Sequence, residues 1–273
     1  MRRATPISEQ PRRIVSLSPS NTEILCALGL GRRLVGVDDW SNHPPAVGRL
    51  PKVGRDLEID VEAVARLEPD LVVACLSVPG MEGNVTRVQA AGLPYIALAP
   101  TGLESIFANI RAIGEATGAA RRAEALVAVI KERLATVRRA LADVPDRPRV
   151  YWEWWPKPLV AAAGRSWVTE MIRIAGGENV FADRDAQSVR VESDEVLARR
   201  PEVVVACWCG ARTAPKAARI AGRPGWEDAP AVRAGRVHVV PESLFTRPGP
   251  RLADGLALLA SLLHPERALE AAS

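Results

Sequence analysis

Two stretches of this chain repeat one another, and the repeat limits the folds open to it. VEAVARLEPDLVVAC, from Val61 to Cys75, and SDEVLARRPEVVVAC, from Ser193 to Cys207, align at a constant offset that sets Glu62 opposite Asp194, Val64 opposite Val196, Pro69 opposite Pro201 and Cys75 opposite Cys207. Each copy reads as a short helix, a proline stop and a strand apolar on both faces, the pattern of a parallel strand covered by helices. A chain of 273 residues that carries this unit twice is expected to form two related halves.

The remaining segments fit that expectation. Short β-branched runs (RIVSLS from Arg13, LVGV from Leu34, LVVAC from Leu71, YIAL from Tyr95, RVYWEWW from Arg149, VVVAC from Val203 and RVHVV from Arg236) alternate with helical patterns. Such alternation predicts an α/β architecture with mostly parallel sheets. Ser20 followed by Glu23 predicts a capping box for a helix through NTEILCAL, closed at Gly29, and Ser166 predicts the cap of a helix that stops at Gly176 and Gly177. From Arg121 to Leu141 the apolar residues Leu126, Ile130, Leu134, Val137 and Leu141 recur at spacings of four and three with no Gly or Pro. A helix of that length spans roughly 30 Å, the width of a small domain, and one stripe of it is expected to pack while the charged faces stay in water. The expected division is an N-terminal α/β lobe over 1–117, a connecting helix over 118–145 and a C-terminal α/β lobe over 146–273.

Composition narrows the function classes. No apolar run approaches the roughly 20 residues of a membrane helix, and the net charge of +4 is spread along the chain and not gathered into a tract, which argues against nucleic-acid binding. Cys26, Cys75, Cys207 and Cys209 lack disulfide-framework density, and CWC lacks zinc-ligand spacing, so they read mostly as small buried hydrophobes. No G-x-S-x-G elbow, P-loop or G-x-G-x-x-G follows a strand, and His43, His238 and His264 lie far apart, so neither a catalytic centre nor a metal cage is expected; His43 alone is a plausible ligand residue. The opening MRRATPISEQPRR has no apolar segment, so the chain is expected either to be cytoplasmic or to have had a secretory signal removed.

In open α/β sheets ligands bind beyond the carboxyl ends of the strands. Two such sheets joined by one helix would face each other across a cleft, lined by the segments that follow the strands. Those segments carry Trp40, Trp154, Trp155, Trp208 and Phe245, although aromatic residues make up only 4% of the chain. Aromatic faces suit a large, flat ligand, since each can bury roughly 150–250 Å² with little entropy to lose. Trp152, Trp167 and Trp226 are expected in the core instead.

The motifs PRRIVSLSPSNTEILCALGL, LVGVDDWSNHPP, IDVEAVARLEPDLVVA, AGGENVF and PGPRLADGL resemble the helical-backbone substrate-binding proteins of ABC importers for vitamin B12, siderophores and haem, and the cobalamin binders most of all. The resemblance runs from about Arg12 onward. It implies two Rossmann-like lobes joined by a single α-helix, little hinge motion, a small-molecule ligand held between the lobes and an ABC permease dimer in the membrane as partner. It also implies a periplasmic location, a monomer and no enzymatic activity or resident cofactor, the corrinoid being cargo. By the same resemblance Trp40 would meet the corrin and Arg247 a propionamide or phosphate oxygen. Glu62 and Asp194 would dock onto permease arginines. Asp56 and Ser188 stand where the cobalamin binders carry tryptophans on the ligand face, and Cys75 replaces a third.

Two alternatives remain open on the sequence. A ferric-siderophore or haem binder would use Arg55, Arg247 and Arg251 against an anionic ligand. A cytoplasmic corrinoid- or metal-handling enzyme would need a titratable cluster, for which Asp38, Asp39, His43, Asp56 and Glu153 are the candidates.

Overall fold

A computed structural model describes residues 10–55, 57–210 and 215–267. The chain divides into two compact units, one of residues 1–130 with Pro248–Pro250 and one of residues 131–247 with 251–273.

In the first unit the strands are β1 (Ile14–Ser16), β2 (Leu34–Val37), β3 (Gly54–Arg55), β4 (Glu58–Ile59), β5 (Leu71–Cys75) and β6 (Tyr95–Leu98), with helices α1 (Pro19–Ala27), α2 (Val61–Arg66), α3 (Glu82–Ala90) and α4 (Leu103–Ala116). Four of the strands form a wholly parallel sheet in the order β2-β1-β5-β6, and β3 and β4 pair as a small antiparallel ribbon. All five residues of β5 are buried, as a central parallel strand requires. The helix α1 corrects one expectation. Its N-cap is Ser18 and Pro19 is the first helical residue, so Ser20 lies inside the helix; a proline needs no amide partner at that position. Gly29, at φ +70°, closes the helix as expected.

A 21-residue helix, α5 (Ala120–Ala140), follows. Ala123, Val127, Ile130, Leu134 and Val137 make its buried stripe; Leu126 is only half-buried, so the stripe enters the helix one position away from the expected one.

The second unit contains β7 (Arg149–Pro156), β8 (Leu159–Ala162), β9 (Glu178–Asn179), β10 (Ser188–Val191), β11 (Val203–Ala206) and β12 (Val237–Val239), with helices α6 (Trp167–Ile174), α7 (Ser193–Ala198), α8 (Ala217–Ala221), α9 (Pro230–Arg233), α10 (Glu242–Phe245) and α11 (Leu252–Leu263). Its sheet runs β10-β8-β7-β11-β12, with β9 beside the start of β7. The β7, β9, β11 and β12 pairings are parallel, whereas β8 folds back on β7 and β10 on β8, both antiparallel, so this sheet is mixed. Ser166 caps α6 by accepting from the Val168 amide, and Gly176 ends it at φ +75°.

The sequence repeat is also a structural one. Glu68 and Arg200, equivalent residues before Pro69 and Pro201, both adopt left-handed backbone, at φ +46° and +47°. Side chains that are uncommon in this conformation are held there by an arginine from the start of the neighbouring strand. Arg13 donates to the Leu67 and Glu68 carbonyls, and Arg149 donates to the Arg199 carbonyl. The backbone amides of the same two arginines donate to Asp70 at 2.9 Å and to Glu202 at 2.8 Å. Both units therefore stitch a helix end to a strand start with the same set of polar contacts.

Candidate functional site

The two units present their candidate residues on differently built supports. In the first, Trp40 follows β2 and is 41% exposed. The loop that carries it is pinned from below by Asp38, fully buried, which accepts from the Trp40 amide at 2.9 Å and from the Ser41 hydroxyl. Ser41 is hydrogen bonded to Thr22 at 2.7 Å, and Thr22 donates to Ser16 at 2.8 Å, so buried hydroxyls from β1 and α1 continue the network. Lys52 donates to the Asp38 and Ser41 carbonyls at 3.2 and 2.7 Å. The SLSPSNT segment, which in the sequence signals only a helix cap, also holds the Trp40 loop. Buried hydroxyls bonded to one another cost less to desolvate than lone ones and fix the backbone they touch.

The β3–β4 ribbon is tied to the same loop. Asp39 donates its amide to the Gly54 carbonyl at 2.8 Å and accepts the Gly54 amide on its carboxylate at 3.2 Å. The ribbon tip includes Leu57, an apolar residue 45% exposed that no sequence motif marks. Arg55 is exposed on the ribbon, and Asp56 lies outside the described residues. His43 is exposed two residues beyond Ser41.

In the second unit the tryptophan run of β7 is sorted by strand alternation. Trp152 is fully buried, and its ring meets Trp154 at 5.5 Å and Phe245 at 4.9 Å between centroids. Trp154 also lies 6.4 Å from Trp167 and is half-buried. A register shift between Glu153 and Trp155 bulges the strand at Trp154, and Trp155, beyond the bulge, is 38% exposed opposite Val160 of β8. Bulges re-aim side chains in this way. Trp152 and Trp167 are core residues, as expected. Phe245 corrects the expectation of a ligand-side aromatic: it is fully buried, its ring against Trp152, and its carbonyl accepts from Trp167 Nε1 at 2.9 Å. The four-residue helix α10 turns it inward.

Glu153 points to the opposite face of β7 from Trp152 and is fully buried. Arg223 donates to both its carboxylate oxygens, at 2.6 and 2.8 Å, while Trp208 Nε1 donates at 2.9 Å and the Tyr151 hydroxyl at 3.2 Å. Burial, and then the Glu153 charge, push the Tyr151 phenol far above its ordinary range. Two of the carboxylates proposed for a catalytic cluster, Asp38 and Glu153, thus serve as scaffold, each satisfied within its own unit. Trp208, half-buried, packs one face on the core that includes Tyr151 and Trp226.

The other candidates fall as follows. Ser188 is exposed at the start of β10, paired with Ala162 of β8. Arg247 is only 7% exposed. Glu62 and Asp194 are both exposed in the first turns of α2 and α7, where a carboxylate also complements the helix dipole. Cys75 and Cys207 are buried, with burial pushing the Cys207 thiol up, whereas Cys209 is exposed, against the expectation of a buried hydrophobe.

The sequence pattern of the family described as periplasmic binding protein matches residues 14–244, most of the chain. An uncharacterized ABC transporter substrate-binding lipoprotein of Bacillus subtilis is 32% identical over 95% of this chain and 82% of its own length. A vitamin B12-binding protein of Vibrio parahaemolyticus is 31% identical over 73% of this chain and 72% of its own. Among solved structures, a periplasmic heme-binding protein of Roseiflexus superposes with a TM-score of 0.81 at 28% identity, covering 94% of this chain and 99% of that one. The chain therefore belongs to the periplasmic binding protein family, as a substrate-binding protein of the ABC-transporter type with the two-unit α/β fold of its B12- and heme-binding relatives.

Proposed function

We propose that this protein captures a corrinoid outside the cytoplasm and delivers it to an ABC permease in the membrane. The observation that carries the reading is the pair of tryptophans held out on rigid supports, Trp40 above its hydroxyl network and Trp155 beyond the β7 bulge, 41% and 38% exposed. Large apolar rings on a pinned backbone lose little entropy when a flat ligand covers them, so they are suited to a macrocycle. The similarity to a vitamin B12-binding protein supports the corrinoid within that class.

Tryptophan fluorescence titrated with cyanocobalamin and with dicyanocobinamide is expected to show saturable quenching by at least one. Trp40→Ala and Trp155→Ala should each weaken binding by about 10- to 30-fold, the loss that follows from removing an aromatic anchor worth about 1.4–2 kcal/mol. Absence of saturable binding by either corrinoid would overturn the reading. Saturable binding of haem in their place would select the anionic alternative, in which Arg55, Arg247 and Arg251 meet ligand carboxylates.

Delivery is assigned to Glu62 and Asp194. Their equivalence in the repeat supplies one exposed carboxylate per unit, which suits a partner of two-fold symmetry. The double variant Glu62→Ala, Asp194→Ala is expected to bind cyanocobalamin as the wild type does and to lose co-purification with the permease. Retained co-purification would remove the two carboxylates from the docking surface.

A further inference from the structure

Within the second unit an unbroken line of side chains runs from Trp208 to the helix that carries Asp194. Trp208 Nε1 donates to Glu153 Oε1 at 2.9 Å, and Arg223 clamps both Glu153 oxygens at 2.6 and 2.8 Å. The Arg223 guanidinium lies 4.9 Å from the Trp226 ring centroid, and Trp226 Nε1 donates to Ser193 Oγ at 2.6 Å. Ser193 is the first residue of α7 and the neighbour of Asp194. Tyr151 braces the line from one side, its hydroxyl 3.2 Å from Glu153 and its ring edge-on to Trp226 at 6.0 Å between centroids.

The two central elements leave little slack. Glu153 and Trp226 are fully buried, and the Arg223 side chain is 19% exposed. In so dry a setting a bidentate carboxylate–guanidinium pair is stiff and losing either partner is costly. An indole that turned at Trp208 would have to give up its bond to Glu153 or shift the carboxylate with it. A shifted carboxylate moves the guanidinium that lies over Trp226, whose indole nitrogen holds Ser193.

We infer that Glu153 and Arg223 are positioning residues that tie the orientation of Trp208 to the first turn of α7. The inference deepens the proposed function and takes its meaning from it: Trp208 would meet ligand, Asp194 would meet permease, and the link would let the docking turn register what Trp208 touches. A coupling of this kind is an energy shared by the two ends, so disturbing one must show at the other.

The test begins without ligand. Amide hydrogen exchange across residues 194–198 is compared in the wild type, Trp208→Phe, Glu153→Gln and a matched control, Trp167→Phe, which deletes an indole donor in the same unit outside the line. Exchange in α7 is expected to accelerate about fivefold or more in Trp208→Phe and in Glu153→Gln, and to stay at the wild-type rate in Trp167→Phe. Wild-type rates in Trp208→Phe would overturn the inference. Equal acceleration in Trp167→Phe would also overturn it, because general loosening of the unit would then account for the effect. In a second arm, cyanocobalamin or haem added to the wild type should slow α7 exchange, and the slowing should be lost in Trp208→Phe. If neither probe binds while the ligand-free acceleration is present, the link is supported and the corrinoid reading falls.

Discussion

Glu153→Ala is expected to destabilise the second unit by about 3–5 kcal/mol, the cost of leaving one member of a buried ion pair without its partner. The carboxylate is fully buried and receives four hydrogen bonds, two from Arg223 and one each from Trp208 and Tyr151. Removing it strands a guanidinium that is mostly out of water, two ring donors and a cavity. The double variant Glu153→Leu, Arg223→Met should recover most of the loss, since a buried ion pair is readily replaced by apolar groups of similar volume. Denaturant unfolding followed by far-UV circular dichroism would read both. A double variant no more stable than Glu153→Ala would show that the damage comes from the cavity and not from the stranded charge. Recovery of stability without recovery of the α7 response would separate the pair's contribution to stability from its positioning role.

Gly54→Ala should cost roughly 3 kcal/mol or more and should loosen the support of Trp40. Gly54 sits at φ +102°, and a Cβ there would lie 2.4 Å from the Glu58 carbonyl oxygen and 3.1 Å from the Asp60 amide nitrogen, both backbone atoms that cannot rotate away. Relief requires the β3–β4 ribbon to open, and the ribbon shares two hydrogen bonds with Asp39, the residue before Trp40. Acrylamide quenching of Trp40, taken as the difference between each protein and its Trp40→Phe counterpart, is expected to rise in the variant, and the denaturant midpoint to fall. Gly48→Ala is the control. No heavy atom lies within 4 Å of a Cβ at that position, so it should be close to neutral. Wild-type quenching and stability in Gly54→Ala would show that the ribbon does not brace the loop.

Much of the fold was legible because parallel strands buried on both faces announce themselves as unbroken apolar runs. LVVAC and VVVAC are such runs, and all seven β-branched runs of the sequence contain strands. The antiparallel β8 and β10 are not legible in this way. LVAA carries two alanines and SVRV has only two apolar residues, so β8 becomes a strand only because β7 offers a paired edge, and β10 only because β8 then offers the next. The Ser20–Glu23 spacing points to Ser20 as the cap of α1, but the cap is Ser18, as Pro19 at the first helical position requires. The burial of Phe245 is not legible in the sequence because a four-residue helix is too short to show a period.

The candidate site divides along the same line. That Glu153 and Trp152 face opposite ways follows from the two-residue period of a strand, and that Glu62 matches Asp194 follows from the repeat; both are properties of the sequence, since local geometry and internal comparison need no distant residue. That Glu153 is clamped by Arg223, 70 residues on, that Asp38 is linked through Ser41 to the Thr22 hydroxyl of α1, and that Arg13 and Arg149 close the two helix ends, were decided only by tertiary structure. Hydrogen bonds and ion pairs act over a few ångströms, and which polar groups come within that reach depends on how the sheets bring far-apart segments together. The chain specified on its own that it would fold as two related α/β units; that β7 runs on through Trp154 and Trp155, which the sequence places after the strand, and which buried charges hold Trp40 and Trp208, were settled by packing.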